Sequence, residues 1–87
     1  LVVLMGQLRS AKRGELITQL GELKPEMYVM LNGRAQAYRD DPSRVLRDMA
    51  RGDVIGEMGL VRELPRSANV VATEDTEYFV LDGKHLD

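Results

Sequence analysis

The chain is a succession of short apolar runs, each closed off by turn residues. Strand candidates are Glu15–Gln19, Met27–Asn32, Arg34–Arg39, Arg44–Met49, Asp53–Ile55, Ala68–Ala72 and Glu77–Leu81. Between them stand Gly14, Gly21-Glu22, Asn32-Gly33, Asp40-Asp41-Pro42, Arg51-Gly52-Asp53 and Pro65. Such residues supply positive φ, a fixed φ or side-chain bonds to nearby backbone. Short strands at near-regular spacing with these turns predict an all-β sandwich or barrel. Asn32-Gly33 predicts a hairpin, because both residues tolerate positive φ. Arg34–Arg39 alternates small apolar with polar residues, whereas Val45 and Leu46 are adjacent and make their strand less one-sided. Val70-Val71 and Tyr78–Leu81 are continuously apolar and predict strands buried on both faces. Two short helical pieces are expected. Glu57–Val61 has room for one turn, with Glu57 near its positive end, and Asp82–Asp87 reads as the start of a second. Leu1–Met5 is expected to pack as a helix end.

Eighty-seven residues hold one small domain, and no repeat, low-complexity tract or linker divides it. With 44% hydrophobic and 30% charged residues the chain has the composition of an ordinary globular domain, not a disordered one. A net charge of −2 leaves no basic face for nucleic acid, and Lys12-Arg13 is too short to make one. No stretch approaches the roughly 20 apolar residues that cross a bilayer as a helix. The absence of cysteine excludes a disulfide framework and thiolate chemistry, and suits a cytoplasmic setting. His85 is the only histidine, which argues against a centre of clustered imidazoles. The five methionines are scattered and suit core filling.

The chemistry concentrates in Gly56-Glu57-Met58-Gly59-Leu60-Val61-Arg62-Glu63-Leu64-Pro65-Arg66-Ser67-Ala68. A glycine lets backbone N–H groups approach an anion, and the start of a helix leaves such donors unpaired. Arginine brings a planar two-pronged donor for phosphate oxygens. Glu57 would repel a bare phosphate; beside one it makes sense as an acceptor for a neighbouring hydroxyl. The segment therefore reads as a site for a sugar phosphate. Outside such a site, Arg66 would be a solvated strand end, Glu57 a helix-start residue and Gly56 a plain turn.

This segment resembles the phosphate-binding cassette of cyclic nucleotide-binding domains, as in catabolite-activator-type regulators, protein kinase A regulatory subunits and gated channels. Leu8–Ile17 resembles the family's opening strand and Gly-Glu turn, Met27–Ala35 its hairpin, and Gly52-Asp53-Val54-Ile55-Gly56-Glu57 the approach to the cassette. The blocks are in order and cover nearly the whole chain. The resemblance implies a mainly β fold, an antiparallel β-roll of jelly-roll type with short terminal helices. It identifies residues 1–87 as one such domain, truncated at both ends.

The resemblance also implies roles. Arg66 is expected on the equatorial oxygens of the cyclic phosphate, Glu57 on the ribose 2′-hydroxyl, and Gly56 where backbone meets sugar or phosphate. Met58 and Gly59 are expected to add amide donors. Ser67 and Ala68 complete the site, with Ser67 favouring cyclic AMP over cyclic GMP. Asn69 departs from the family's small residue, a change expected to be neutral. Leu23-Lys24-Pro25 replaces a second glycine in the Gly21–Glu26 turn, which the resemblance places away from the cassette.

No catalytic residue, metal ligand or cofactor is expected; the ligand is a cyclic nucleotide. The expected partners are an effector region outside the fragment and a second copy joined through absent helices. Direct contact with nucleic acid is not expected. The expected location is the cytoplasm or the cytoplasmic face of a membrane protein. A non-binding assembly copy of the same domain in a channel or transporter is the alternative. A cupin-type enzyme is disfavoured by the single histidine.

Overall fold

The computed structural model describes residues 2–56 and 64–85, with side chains at 6–56 and 64–82. Eight strands follow in order: β1 Val2–Ala11, β2 Leu16–Thr18, β3 Glu26–Asn32, β4 Ala35–Tyr38, β5 Arg47–Met49, β6 Val54–Ile55, β7 Asn69–Ala72 and β8 Thr76–His85. They form two antiparallel four-stranded sheets ordered β1-β8-β3-β6 and β2-β7-β4-β5. Pairing is nested: first strand with last, second with seventh, third with sixth, fourth with fifth. This is the antiparallel β-roll that the resemblance implied, and it fits the all-β pattern expected from the runs and turns.

Period-two alternation carries the core. Tyr28 and Met30 of β3, Tyr78 and Val80 of β8, Ala35 and Ala37 of β4, and Val70 and Ala72 of β7 are all buried between the sheets. The Tyr28 and Tyr78 rings meet edge to face, 5.3 Å apart at 72°. The intervening residues turn outward. Register aligns Leu8, Phe79, Val29 and Val54 in one row across the outer face of the first sheet. Phe79 and Leu81 are therefore half-buried, rather than enclosed on both sides as their apolar run suggested.

The chain ends differ from expectation. Residues 2–5 and 82–85 are strand, pairing from Val2↔His85 to Met5↔Asp82, where helical ends were expected. Cross-strand bonds satisfy the inward-facing backbone groups along the length of such a ribbon, whereas a lone helical turn leaves most of its own unpaired. Residues 86–87, and the expected turn over 57–61, lie outside the described residues.

Asn32-Gly33 is the second correction. It joins β3 of one sheet to β4 of the other, and these two strands do not pair. The residues are still selected by turn geometry. Gly33 has φ of +83°, and a Cβ there would stand 2.6 Å from Asp75 O and 2.7 Å from Thr76 Cα. The Asn32 amide is drawn aside to Glu77, donating to Oε1 at 2.7 Å while its oxygen accepts from Glu77 N at 3.0 Å. Positive φ makes a corner between sheets as readily as a hairpin. Similarly, β5 starts only at Arg47, because Asp41 accepts from Ser43 N and Oγ and holds the preceding residues in a turn.

Asn69 proves structural. Its oxygen accepts from Leu20 N at 2.8 Å and its amide donates to Arg39 O at 3.1 Å, tying two loops to the start of β7. Asn69→Ala is expected to cost about 1–2 kcal/mol by stranding Leu20 N, and to lower Tm by roughly 4–15 °C. An unchanged melting curve would show that water replaces both bonds.

Candidate functional site

The site forms where the chain leaves β6 and where it enters β7. Gly56 follows β6 with φ of +77°, and its missing side chain makes room for a guanidinium. A Cβ there would overlap Arg66 Nη1 and stand 2.9 Å from Cζ and 3.3 Å from Glu26 O. Gly56 and Arg66 therefore meet across the described ends of the segment. Arg66 Nη1 donates to Gly56 O at 3.2 Å.

Arg66 is 6% exposed, which for arginine requires an explanation. Its Nη2 donates to Glu26 O at 2.8 Å and to Tyr28 Oη at 3.4 Å. Its Cζ lies 5.3 Å from the centroid of the Tyr28 ring, within cation–π range. No carboxylate pairs with it among the described residues. Nε is buried and has no hydrogen-bond partner among those residues. Among the described residues, carbonyls, a hydroxyl and a ring alone answer this buried cation, an incomplete arrangement, because burial of charge requires full pairing.

The Tyr28 hydroxyl donates to Glu26 Oε1 at 2.8 Å, and Arg9 Nη2 stands 3.7 Å from Glu26 Oε2. Burial, followed by the bond to Glu26, pushes the Tyr28 phenol up to about 12; Arg66 opposes the shift. Tyr28 therefore stays neutral at any physiological pH and serves as both donor and acceptor.

The main chain of Arg66 is fixed as well. Gly21 N donates to Arg66 O at 2.8 Å and Arg66 N to Glu22 O at 2.9 Å. The Gly21–Glu26 segment therefore contacts Arg66 through backbone bonds and through Glu26 O; it does not lie away from it. The loop's spacing along the chain concealed this, because Arg66 belongs to a distant segment. Glu26 and Tyr28 were likewise not among the expected site residues. For Tyr28 the signal available was its apolar-face position in the β3 alternation; Glu26 meets Arg66 through its carbonyl, which carries no sequence signal.

A cavity of about 420 Å³ opens beside Arg66, lined by Gly56, Leu64, Ser67 and Ala68 among others. Ser67 is exposed on it; Ala68 is half-buried against the core, and its carbonyl accepts from Thr18 Oγ1 at 3.2 Å. Met49, Ile55 and Val70 give it an apolar floor. Gly56, Arg66, Ser67 and Ala68 are thus gathered on one hollow, while Glu57, Met58 and Gly59 lie outside the described residues. Among the described residues no cluster of three or more His, Asp or Glu could hold a metal ion. Among them no helix is long and apolar enough to cross a membrane.

Residues 8–87 match the family model for the cyclic nucleotide-binding domain. A cAMP-dependent protein kinase regulatory subunit from Colletotrichum orbiculare is 33% identical over 64 residues, 74% of this chain and 16% of that protein. The Cyclic AMP receptor protein of Thermus thermophilus is 35% identical over 78 residues, 86% of this chain and 36% of its own length. The crystal structure of a cyclic nucleotide-binding domain from Methylobacillus flagellatus superposes with a TM-score of 0.82 at 28% identity, covering 88% of this chain and 45% of that one. The chain thus spans a minor part of each of these relatives.

Proposed function

The chain belongs to the cyclic nucleotide-binding domain family, and on that premise we propose that it is a regulatory domain that binds cyclic AMP in the cavity beside Arg66. One observation carries the reading: a buried guanidinium that has neither a carboxylate partner nor an acceptor for its Nε–H among the described residues lines a hollow of ligand size. An exocyclic phosphate oxygen supplies the anionic acceptor that the described residues lack. Gly56 leaves the space in which the guanidinium is held for that contact, and the apolar floor suits the sugar and base edges. Glu57 accepts from the ribose 2′-hydroxyl in this reading, and the amides of Met58 and Gly59 add donors.

Ser67, exposed at the rim, supports cyclic AMP over cyclic GMP, and the names of both curated relatives support the same ligand. The domain acts by population shift: ligand orders the cassette and biases a contact with an effector region outside residues 1–87. It performs no chemistry of its own, and it works in the cytoplasm or at the cytoplasmic face of a membrane.

Calorimetric titration tests this. Cyclic AMP is expected to bind about tenfold more tightly than cyclic GMP, a difference of about 1.4 kcal/mol. At 100 times its Kd it should raise Tm by about 10 °C or more. No heat and no thermal shift at millimolar cyclic AMP would leave the non-binding assembly copy as the better account.

A further inference from the structure

Arginine carries five N–H donors on one rigid plane. In Arg66, Nη1 donates to Gly56 O, and Nη2 donates to Glu26 O and Tyr28 Oη. Nε and Nη2 share one edge of the plane, the edge that can grip two oxygens of an anion side by side. On this edge Nε–H has no partner among the described residues, whereas Nη2 already donates to two acceptors. The two Nη2 bonds differ. Glu26 O accepts at 2.8 Å, and Tyr28 Oη at 3.4 Å, beyond the usual length of such a bond. A two-oxygen grip on the Nε–Nη2 edge needs one Nη2 proton released, and the long bond is the weaker of the two.

We propose that the Tyr28 hydroxyl is a placeholder for a ligand oxygen. It holds the Nη2 proton in the empty site and gives it up when a phosphoryl group arrives. The proposal rests on the function argued above, which supplies the anion. Tyr28 is a positioning residue with two opposed parts. Its ring, 5.3 Å from Cζ, keeps the guanidinium plane in place, which favours the ligand. Its hydroxyl competes with the ligand for Nη2–H. Release does not strand that hydroxyl, since it continues to donate to Glu26 Oε1. Arg9, 3.7 Å from the other Glu26 oxygen, holds the carboxylate in place for it.

The two parts separate by substitution. Tyr28→Phe keeps the ring and removes the competitor, so cyclic AMP should bind about threefold more tightly than to the wild-type chain. Tyr28→Leu removes the ring as well and should weaken binding about tenfold. A purely structural role would weaken binding in both variants. Calorimetry on the three proteins, each first shown folded by its melting curve, reads the signs. Equal or weaker binding by Tyr28→Phe overturns the placeholder while leaving cyclic AMP binding intact.

If Tyr28→Phe does not fold, nitrogen-edited NMR of the wild-type chain decides. Both Nε–H and Nη2–H of Arg66 should shift on adding cyclic AMP, and a shift of Nε–H alone overturns the proposal. A wild-type chain that ignores cyclic AMP removes the proposed function. The placeholder is then judged without ligand: Tyr28→Phe should speed exchange of the Arg66 Nη2 protons with water about threefold, and unchanged exchange overturns it.

Discussion

Arg66→Ala is expected to weaken cyclic AMP binding by about 30-fold or more. Removing one partner of a desolvated charge pair costs about 2–5 kcal/mol, and each 1.4 kcal/mol is a factor of ten in Kd. The backbone bonds from Gly21 to Arg66 and from Arg66 to Glu22 do not involve the side chain, so the segment keeps its anchor in the variant. What is lost is the guanidinium on Gly56 O, Glu26 O and the Tyr28 face. Arg66→Lys separates charge from shape: a single ammonium keeps the charge and loses the fork, so affinity should recover only in part. Titration calorimetry on wild type and both variants checks the order. Wild-type affinity in Arg66→Ala would remove this residue from the site.

The largest effect on stability is expected at Gly33. Gly33→Ala places a side chain at φ of +83° and drives its Cβ against the Asp75 carbonyl and the Thr76 Cα, both backbone atoms. Left-handed geometry costs an L-residue about 1–2 kcal/mol, and overpacking adds about 1–3 kcal/mol. Small domains gain about 4–8 °C in Tm per kcal/mol, so a loss of at least about 10 °C follows. Gly52→Ala is the matched control. Gly52 also has positive φ, of +90°, but nothing stands within 4 Å of its Cβ position, so only the backbone cost applies. Equal melting temperatures for the two variants would show that the corner at residue 33 yields without penalty.

These two positions also show how far the sequence is legible. Gly33 reads as a turn because its local chemistry demands positive φ, and the structure has that turn. Whether it closes a hairpin or a corner depends on partners more than forty residues away, Glu77 among them, which no local pattern displays. Strand positions are legible for the same reason as the core, through alternation at Tyr28, Met30, Tyr78 and Val80. The ends misled because Val2–Met5 and Asp82–His85 lack alternation; each is strand only through the other. In the site, Gly56 and Arg66 follow from the types of chemistry they offer. Glu26 acts through its carbonyl, and a carbonyl is the same on every residue.

Nested pairing has a consequence for how the molecule is made. β8 lies between β1 and β3 and bonds to both. As the nascent chain leaves the ribosome, Val2–Ala11 must wait for residues 12–85 before their partner is complete, roughly 4–15 s at ordinary elongation rates. Through that interval one whole sheet lacks its seam, and two bare edges remain open to strands of neighbouring polypeptides.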